Sequence, residues 1–235
     1  MLIDSANIQQ SDVEWENRKR RRAGKPPISP LYSIEDAELS LKYFETYLYD
    51  QIIRINEDLI VRFKDAGHIL GSSIIELWIK EKKEFTKLVF SGDLGMPGRP
   101  IINDPEFIDS ADYLIIESTY GNRVHEDIKE STENLVNIIN ETVLRGGTVV
   151  IPSFAVGRTQ ELIYELNRYY EYEKSIEEFM KIPIYIDSPM AVMATEAFKS
   201  NSNCFDEKTK QLILNGDNPF QFENLFYIKS KEESM

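Results

Sequence analysis

"LIVRFKDAGHILGSSIIELWI", residues 59–79, holds two runs rich in β-branched and aromatic residues, separated by a loop with two glycines. Each run alternates in part between apolar and polar side chains, the pattern of a strand with one covered face. They read as consecutive antiparallel strands. In the break stands His68, one of only two histidines in the chain. Gly67 and Gly71 leave room for tight backbone and for close approach of another group. A rigid sheet presents ligands and catalysts at such loop ends. A histidine satisfied within its own turn is the plainer alternative.

Working outward, "IRI" (53–55) precedes this pair and "KLVF" (87–90) follows it, both strand-like; "GDLGMPGRP" is a loop and "DYLII" (112–116) a further strand. Upstream, Asp4 or Ser5 can cap a polar helix reaching about Ala23, with arginines at its negative C-terminal end. "GKPPISPLY" breaks regular structure. Ser33 can cap a second helix, whose Ile34, Ala37, Leu41, Phe44 and Leu48 fall on one face. After about residue 122 the style changes. A helix from near Ser131 to Arg145 precedes "GGTVVIPS", an apolar strand of the buried parallel type. A helix with Leu162, Ile163, Leu166 and Tyr170 on one face follows, then the strand "IPIYID". Helices near Met190–Lys199 and Asp206–Leu214 and the strand "NLFYI" complete the pattern. Alternating helices and strands predict an α/β layer. There is no internal repeat.

The 235 residues are 42% hydrophobic and 29% charged, values of a globular protein with a sizeable core. No apolar run approaches the roughly 18 residues of a membrane span, and no secretion signal is visible at the N-terminus. A single cysteine, Cys204, excludes an intrachain disulfide and a cysteine-rich zinc site. A cytoplasmic location is expected. The net charge is −13, which repels nucleic acid at long range. Yet Arg18, Lys19, Arg20, Arg21, Arg22 and Lys25 place six cations in eight residues, so the other 227 residues carry −19. That run reads as a solvated helix end or as a local phosphate-contacting patch.

Asp93 in "FSGDLG" repeats the architecture of His68: an apolar strand, glycines on either side, and a functional group between them. An Asx-turn is its structural alternative. Glu117 follows the apolar strand of "DYLIIESTYG", where a carboxylate usually has a partner. Three strand ends offering His, Asp and Glu read together as one rim of a site, with the ligand types of zinc or a similar divalent ion. "VVIPSFAVGRTQEL" brings Ser153 to a helix start whose free N–H groups attract phosphate or carboxylate, with Arg158 one turn in. A capped strand–helix junction explains it equally. "IDSPMA" reads as a cap, by Asp187 or Ser188, with Pro189 at the first helical position. His125 lies among polar residues and reads as exposed or supporting.

With these residues the chain resembles the metallo-β-lactamase-fold nucleases that carry the β-CASP insertion, in their bacterial RNA-processing branch. "DAGHILGSS" resembles the third metal motif of that family and "SGDLG" the fourth. "ESTYGNRVHE" resembles the first β-CASP motif, and "PSFAVGRTQEL" and "IDSPMA" recur in the β-CASP domain. Order and spacing of all five fit, and the similarity extends over "DSANIQQSDVEWENRKRRRAGKPP" and "PLYSIEDAE". The resemblance implies a partial metallo-β-lactamase (αββα) domain over residues 1–122 and part of a Rossmann-like α/β β-CASP domain over 123–235. It implies hydrolysis of RNA phosphodiesters at a centre of two divalent ions, zinc by expectation. Matched by motif, His68 would be a ligand to one metal and Asp93 would bridge both. Glu117 would orient a histidine supplied later in the chain, assisting proton transfer. RNA is the implied partner, a membrane is not, and a homo-oligomer stays open. The family's His-x-His-x-Asp-His cluster is absent, and on the family pattern it falls upstream of Met1, with later histidines beyond Met235. The chain is therefore expected to be partial, with little or no nuclease activity alone. Two other readings are a non-catalytic RNA- or partner-binding homologue and a small-molecule hydrolase on the same fold.

Overall fold

The computed structural model describes residues 2–123, 128–172, 182–230 and 232–233. Backbone contacts divide the chain into two compact units, Met1–Leu48 and Tyr49–Met235.

In the first unit, α1 runs from Leu2 to Arg22 and gathers Lys19 to Arg22 in its last turn, where the helix dipole favours cations. The chain then folds back along α1. The Asn17 amide both accepts from Ile28 N–H (2.8 Å) and donates to Ile28 O (2.8 Å), and Arg20 Nε donates to Pro26 O (2.7 Å). α2, Ile34–Ser40, opens on a reciprocal cap: Asp36 N–H donates to Ser33 Oγ (3.1 Å) and Ser33 N–H to the Asp36 carboxylate (2.9 Å). The expected continuation to Leu48 does not form. A short 3-10 turn covers Leu41–Tyr43, Phe44 is extended, and Phe44 and Leu48 are exposed. Ala37 is the one residue of α2 that is buried, so the apolar spacing beyond Ser40 had nothing to pack against.

The second unit opens on a five-stranded sheet in sequence order: β1 (Ile53–Arg54), β2 (Leu59–Asp65), β3 (Ser73–Glu81), β4 (Glu84–Phe90) and β5 (Tyr113–Ile115). The first four pair antiparallel, as the alternation predicts, and β5 joins β4 in parallel. One face carries an ion network. The Glu76 carboxylate, 1% exposed, takes Arg62 Nε at 2.6 Å and Lys87 Nζ at 2.6 Å, and both cations lie over the Trp78 ring. Burial opposes charge on Glu76, but the two cations outweigh it and hold the carboxyl below its ordinary value. Asp65 is buried without such cations, and burial raises it.

Beyond β5 come α3 (Ile128–Leu144), α4 (Arg158–Tyr172), β6 (Ile184–Ile186), α5 (Pro189–Ser200), α6 (Glu207–Leu214) and β7 (Leu225–Tyr227). Ser188 caps α5 with Pro189 at its first position, and Asp206 caps α6. β6 and β7 pair in parallel as a two-stranded sheet. The expected strand in "GGTVVIPS" is absent: residues 147–154 join no ladder, and Val150 is 82% exposed. A parallel strand needs neighbours for its N–H and C=O groups, and β6 and β7 bond only to each other among the described residues.

The largest core joins both parts of this unit. Ile101 and Ile102, in the loop after β4, pack with Ile163, Tyr164, Phe198, Phe205, Phe220 and Leu225. Ile101 adopts φ +82°, strained for a β-branched residue, and is held there by complete burial and by Asp206 N–H donating to its carbonyl (2.8 Å). Among the described residues, no helix is long and apolar enough to cross a membrane.

Candidate functional site

Because β3 is antiparallel to β2 and β4, and β5 is parallel to β4, the strands β2, β4 and β5 all end at one edge of the sheet. Phe63, Ile75, Phe90 and Ile115 form one cross-sheet row. His68, Asp93 and Glu117 follow that row on the loops leaving β2, β4 and β5.

Glycine lets these loops touch backbone to backbone. Gly67 sits at φ +60°, and a Cβ there would lie 2.5 Å from Pro105 N. A Cβ on Gly95 would fall 1.6 Å from Gly67 O, because Gly95 N–H donates to Ala66 O (2.8 Å) across the two loops. The neighbouring Leu94 N–H donates to Glu117 Oε1 (2.6 Å), while Glu117 N–H donates to Ser91 Oγ (3.0 Å). The Asp93 loop is thus tied to the His68 loop through Gly95 and to Glu117 through Leu94. The His68 loop is closed by Ser72, whose Oγ accepts from His68 N–H (3.0 Å) and Ile69 N–H (3.2 Å). Its base is fixed by Asp65, which accepts from Gly67 N–H (2.8 Å), and by Glu106, which accepts from Asp65 N–H (3.0 Å) and Lys64 Nζ (2.7 Å).

Electrostatics agree with this gathering. The Leu94 N–H holds the Glu117 carboxyl below its ordinary value, Thr119 adds to this, and so does the positive form of His68. His68 and Asp93 are both exposed, so their donor atoms are open to solvent.

The helix start beyond residue 152 reaches the same loop, since a Cβ on Gly157 would meet Ile69 Cγ2 at 2.8 Å. Its N–H groups are largely engaged: Gly157 N–H donates to Gln160 Oε1 (2.8 Å), Arg158 N–H to Val156 O (3.1 Å) and Thr159 N–H to Phe154 O (3.3 Å). Ser153 is exposed and meets Thr159 Oγ1 at 3.3 Å. Arg158 pairs with Glu161 (2.8 Å), which it shares with Arg99 (3.0 Å) from the loop after β4. Ser153 and Arg158 therefore border the rim, but their local contacts are those of a capped junction.

Gln160, which sequence reading passed over, organises this junction. It is fully buried, and its amide also donates to Thr195 Oγ1 (2.9 Å) on α5 and Ala155 O (3.2 Å). Its signal was present: Gln160, Ile163, Tyr164 and Asn167 share helical spacing, so two amides lie on a buried face.

Among the described residues, no group of three His, Cys, Asp or Glu side chains is arranged to hold a metal ion. His68 and Asp93 have the right donor chemistry for a divalent ion and supply part of a donor set, not a whole one. His125 lies outside the described residues.

Residues 159–235 match the Beta-Casp domain. Across nearly the whole chain, Ribonuclease TTHA0252 of Thermus thermophilus is 33% identical over 205 residues, 87% of this chain and 45% of that protein. The chain carries a Beta-Casp domain. An RNase J-like protein of Methanocaldococcus jannaschii is 34% identical over 88% of this chain and 47% of its own length. Endoribonuclease YSH1 of Candida glabrata is 32% identical over 86% of this chain and 26% of its own length. The β-CASP chain described by these 235 residues thus spans less than half the length of these relatives.

Proposed function

We propose that this β-CASP chain contributes one rim of a metal-dependent RNA phosphodiesterase site. The observation that carries the reading is the interlock of the His68, Asp93 and Glu117 loops through Gly95 N–H and Leu94 N–H. The ribonuclease names of its relatives support RNA as the substrate class. His68 and Asp93 would hold divalent metal, zinc by preference, and such a centre would activate water and offset phosphodiester charge when bound. Glu117 acts beside them as a fixed carboxylate. Its bond to Leu94 N–H holds the Asp93 loop in place. Ser153 and Arg158 border the substrate path, Arg158 as a cation that phosphate can draw from Glu161.

The domain division extends this reading. Residues 1–122 are assigned to the lactamase-type part and 123–235 to the β-CASP part, a division supported by the change from antiparallel ladders to helix–strand units and by the Beta-Casp match. The reading includes a cytoplasmic location. With two histidines in 235 residues, this chain alone binds metal weakly and turns RNA over little or not at all.

A chimera tests the site. Residues 49–122 should replace the matching stretch of Ribonuclease TTHA0252 with RNA cleavage retained. His68→Ala or Asp93→Ala in that chimera should then cost at least about 100-fold in turnover, the scale of a lost metal ligand or electrostatic group. Unchanged cleavage by either variant would overturn the assignment.

A further inference from the structure

We propose that the C-terminal turn of α1, its returning loop and Trp15 form a contact site for single-stranded RNA. The proposal rests on the RNA reading above and concerns a surface which that reading leaves unused.

The charge is the first observation. Six cations stand at positions 18–22 and 25, while the remaining 227 residues carry −19. A helix end favours one or two cations through its dipole, each worth a fraction of a kcal/mol to about 1 kcal/mol at the surface. Six in eight residues exceed what capping uses and repel one another. Among the described residues, Arg18, Arg21, Arg22 and Lys25 form no ion pair, although Glu14 and Glu16 lie within a turn on the same helix. All four are exposed. Charge kept without an internal counterion is available to an external polyanion.

Geometry is the second. The loop after α1 does not wander: the Asn17–Ile28 pair of bonds and the Arg20–Pro26 bond hold it against the helix, and Lys25 N–H donates to Arg20 O (2.9 Å). Lys25 is therefore carried at a fixed place beside the arginines, and the cluster is preorganised.

The third is Trp15, one turn upstream. The residue is 54% exposed, with Lys19 Nζ 3.2 Å from the ring centroid. A cation on an exposed indole beside a phosphate-seeking cluster is the combination that binds single strands: the base stacks on the ring and the backbone follows the cations. Duplex would leave the ring unused, because its bases are already stacked. An anionic membrane fits less well. Among the described residues α1 buries only Ala6 and is too polar overall to lay an apolar face into lipid.

The test titrates the full chain with a short fluorescein-labelled single-stranded RNA at several salt concentrations. The comparison is with the variant Arg18→Gln/Arg21→Gln/Arg22→Gln, which keeps helix-forming side chains. Wild type should bind with a steep salt dependence, and the variant should lose about 2 from the slope of log K against log salt, at ~0.7 per phosphate contact on a single strand. RNA should quench the intrinsic tryptophan emission of wild type and not that of Trp15→Phe. Trp15→Ala should weaken binding about tenfold without changing the slope, as expected for one lost stacking contact. Circular dichroism and a melting curve show that each variant is folded.

RNA binding with an unchanged slope and affinity in the triple variant overturns the contact site and leaves RNA as substrate class intact. Arginine-dependent sedimentation with phosphatidylserine vesicles, without RNA binding, overturns it in favour of a lipid surface. Binding to neither overturns it outright, while the cleavage assay on the chimera judges the metal-site reading independently.

Discussion

The five-stranded sheet and the two-stranded one meet the same physical demand in opposite ways. β2, β3 and β4 are long, consecutive and antiparallel, so each finds its hydrogen-bond partner within a few residues of chain. β6 and β7 are three residues each, some forty residues apart, and the apolar run 147–151 that should extend their layer stays unpaired. Local ladders complete themselves, whereas a parallel layer needs strands brought from a distance. The loops of His68, Asp93 and Glu117 grow from the self-sufficient sheet, which is why they interlock while the apolar faces of the other layer stay open.

The sharpest way to break that contrast is at the loop contact. Gly95→Ala sets a methyl 1.6 Å from Gly67 O, so the His68 and Asp93 loops must part. A loss on the order of 4 kcal/mol in denaturant unfolding is expected, the upper range for single substitutions. Gly121→Ala, whose Cβ would meet Ser118 no nearer than its O at 3.4 Å, is the mild control.

Next comes Glu76→Gln, which leaves Arg62 and Lys87 without their shared anion. About 3 kcal/mol should be lost at pH 7, the cost of breaking a largely buried pair. The acid limb adds a second readout. Glu76 is held below its ordinary value of 4.5, so its contribution is complete above that pH and is lost as pH falls through the lower folded value. The melting temperature of the wild type should fall in this window and that of Glu76→Gln should fall less. Asp65 works in the other direction: burial raises it, so the cost of its charge is present at neutral pH and relieved on acidification. Asp65→Asn should therefore flatten any acid-side gain.

On the helical side, Gln160→Ala should cost about 2 kcal/mol in thermal unfolding, since Gly157 N–H and Thr195 Oγ1 lose a buried partner. The smallest effect sharpens the comparison most. Val150→Thr should change stability by less than about 0.5 kcal/mol, as at any exposed position. A loss above about 1 kcal/mol would mean that residues 147–151 are packed as a buried strand.

Much of this was legible in advance. Alternation in "LIVRFKDA" and "SSIIELWI" predicts β2 and β3, and Ser33 and the Asp187–Ser188 pair mark two helix starts, because periodicity and caps are local. His68, Asp93 and Glu117 stand out as polar groups after apolar strands, and the structure gathers their loops at one edge. Apolar spacing misled at Phe44 and Leu48, where a face was present and nothing covered it, and at "GGTVVIPS", where a strand-like run has no neighbour. Gln160 was overlooked because an amide is classed as polar until a buried helix face claims it.

The sequence by itself determined which polar groups stand at the strand ends, where the elements of the sheet begin and end, and where the uncompensated positive charge lies, since composition and short-range pattern suffice for these. Only the tertiary structure decided that Gly95 and Gly67 touch, that Leu94 N–H seats Glu117, and that Arg99 shares Glu161 with Arg158. These are contacts between segments 23 to 62 residues apart, such as Leu94 with Glu117 and Arg99 with Glu161, and no local pattern encodes them.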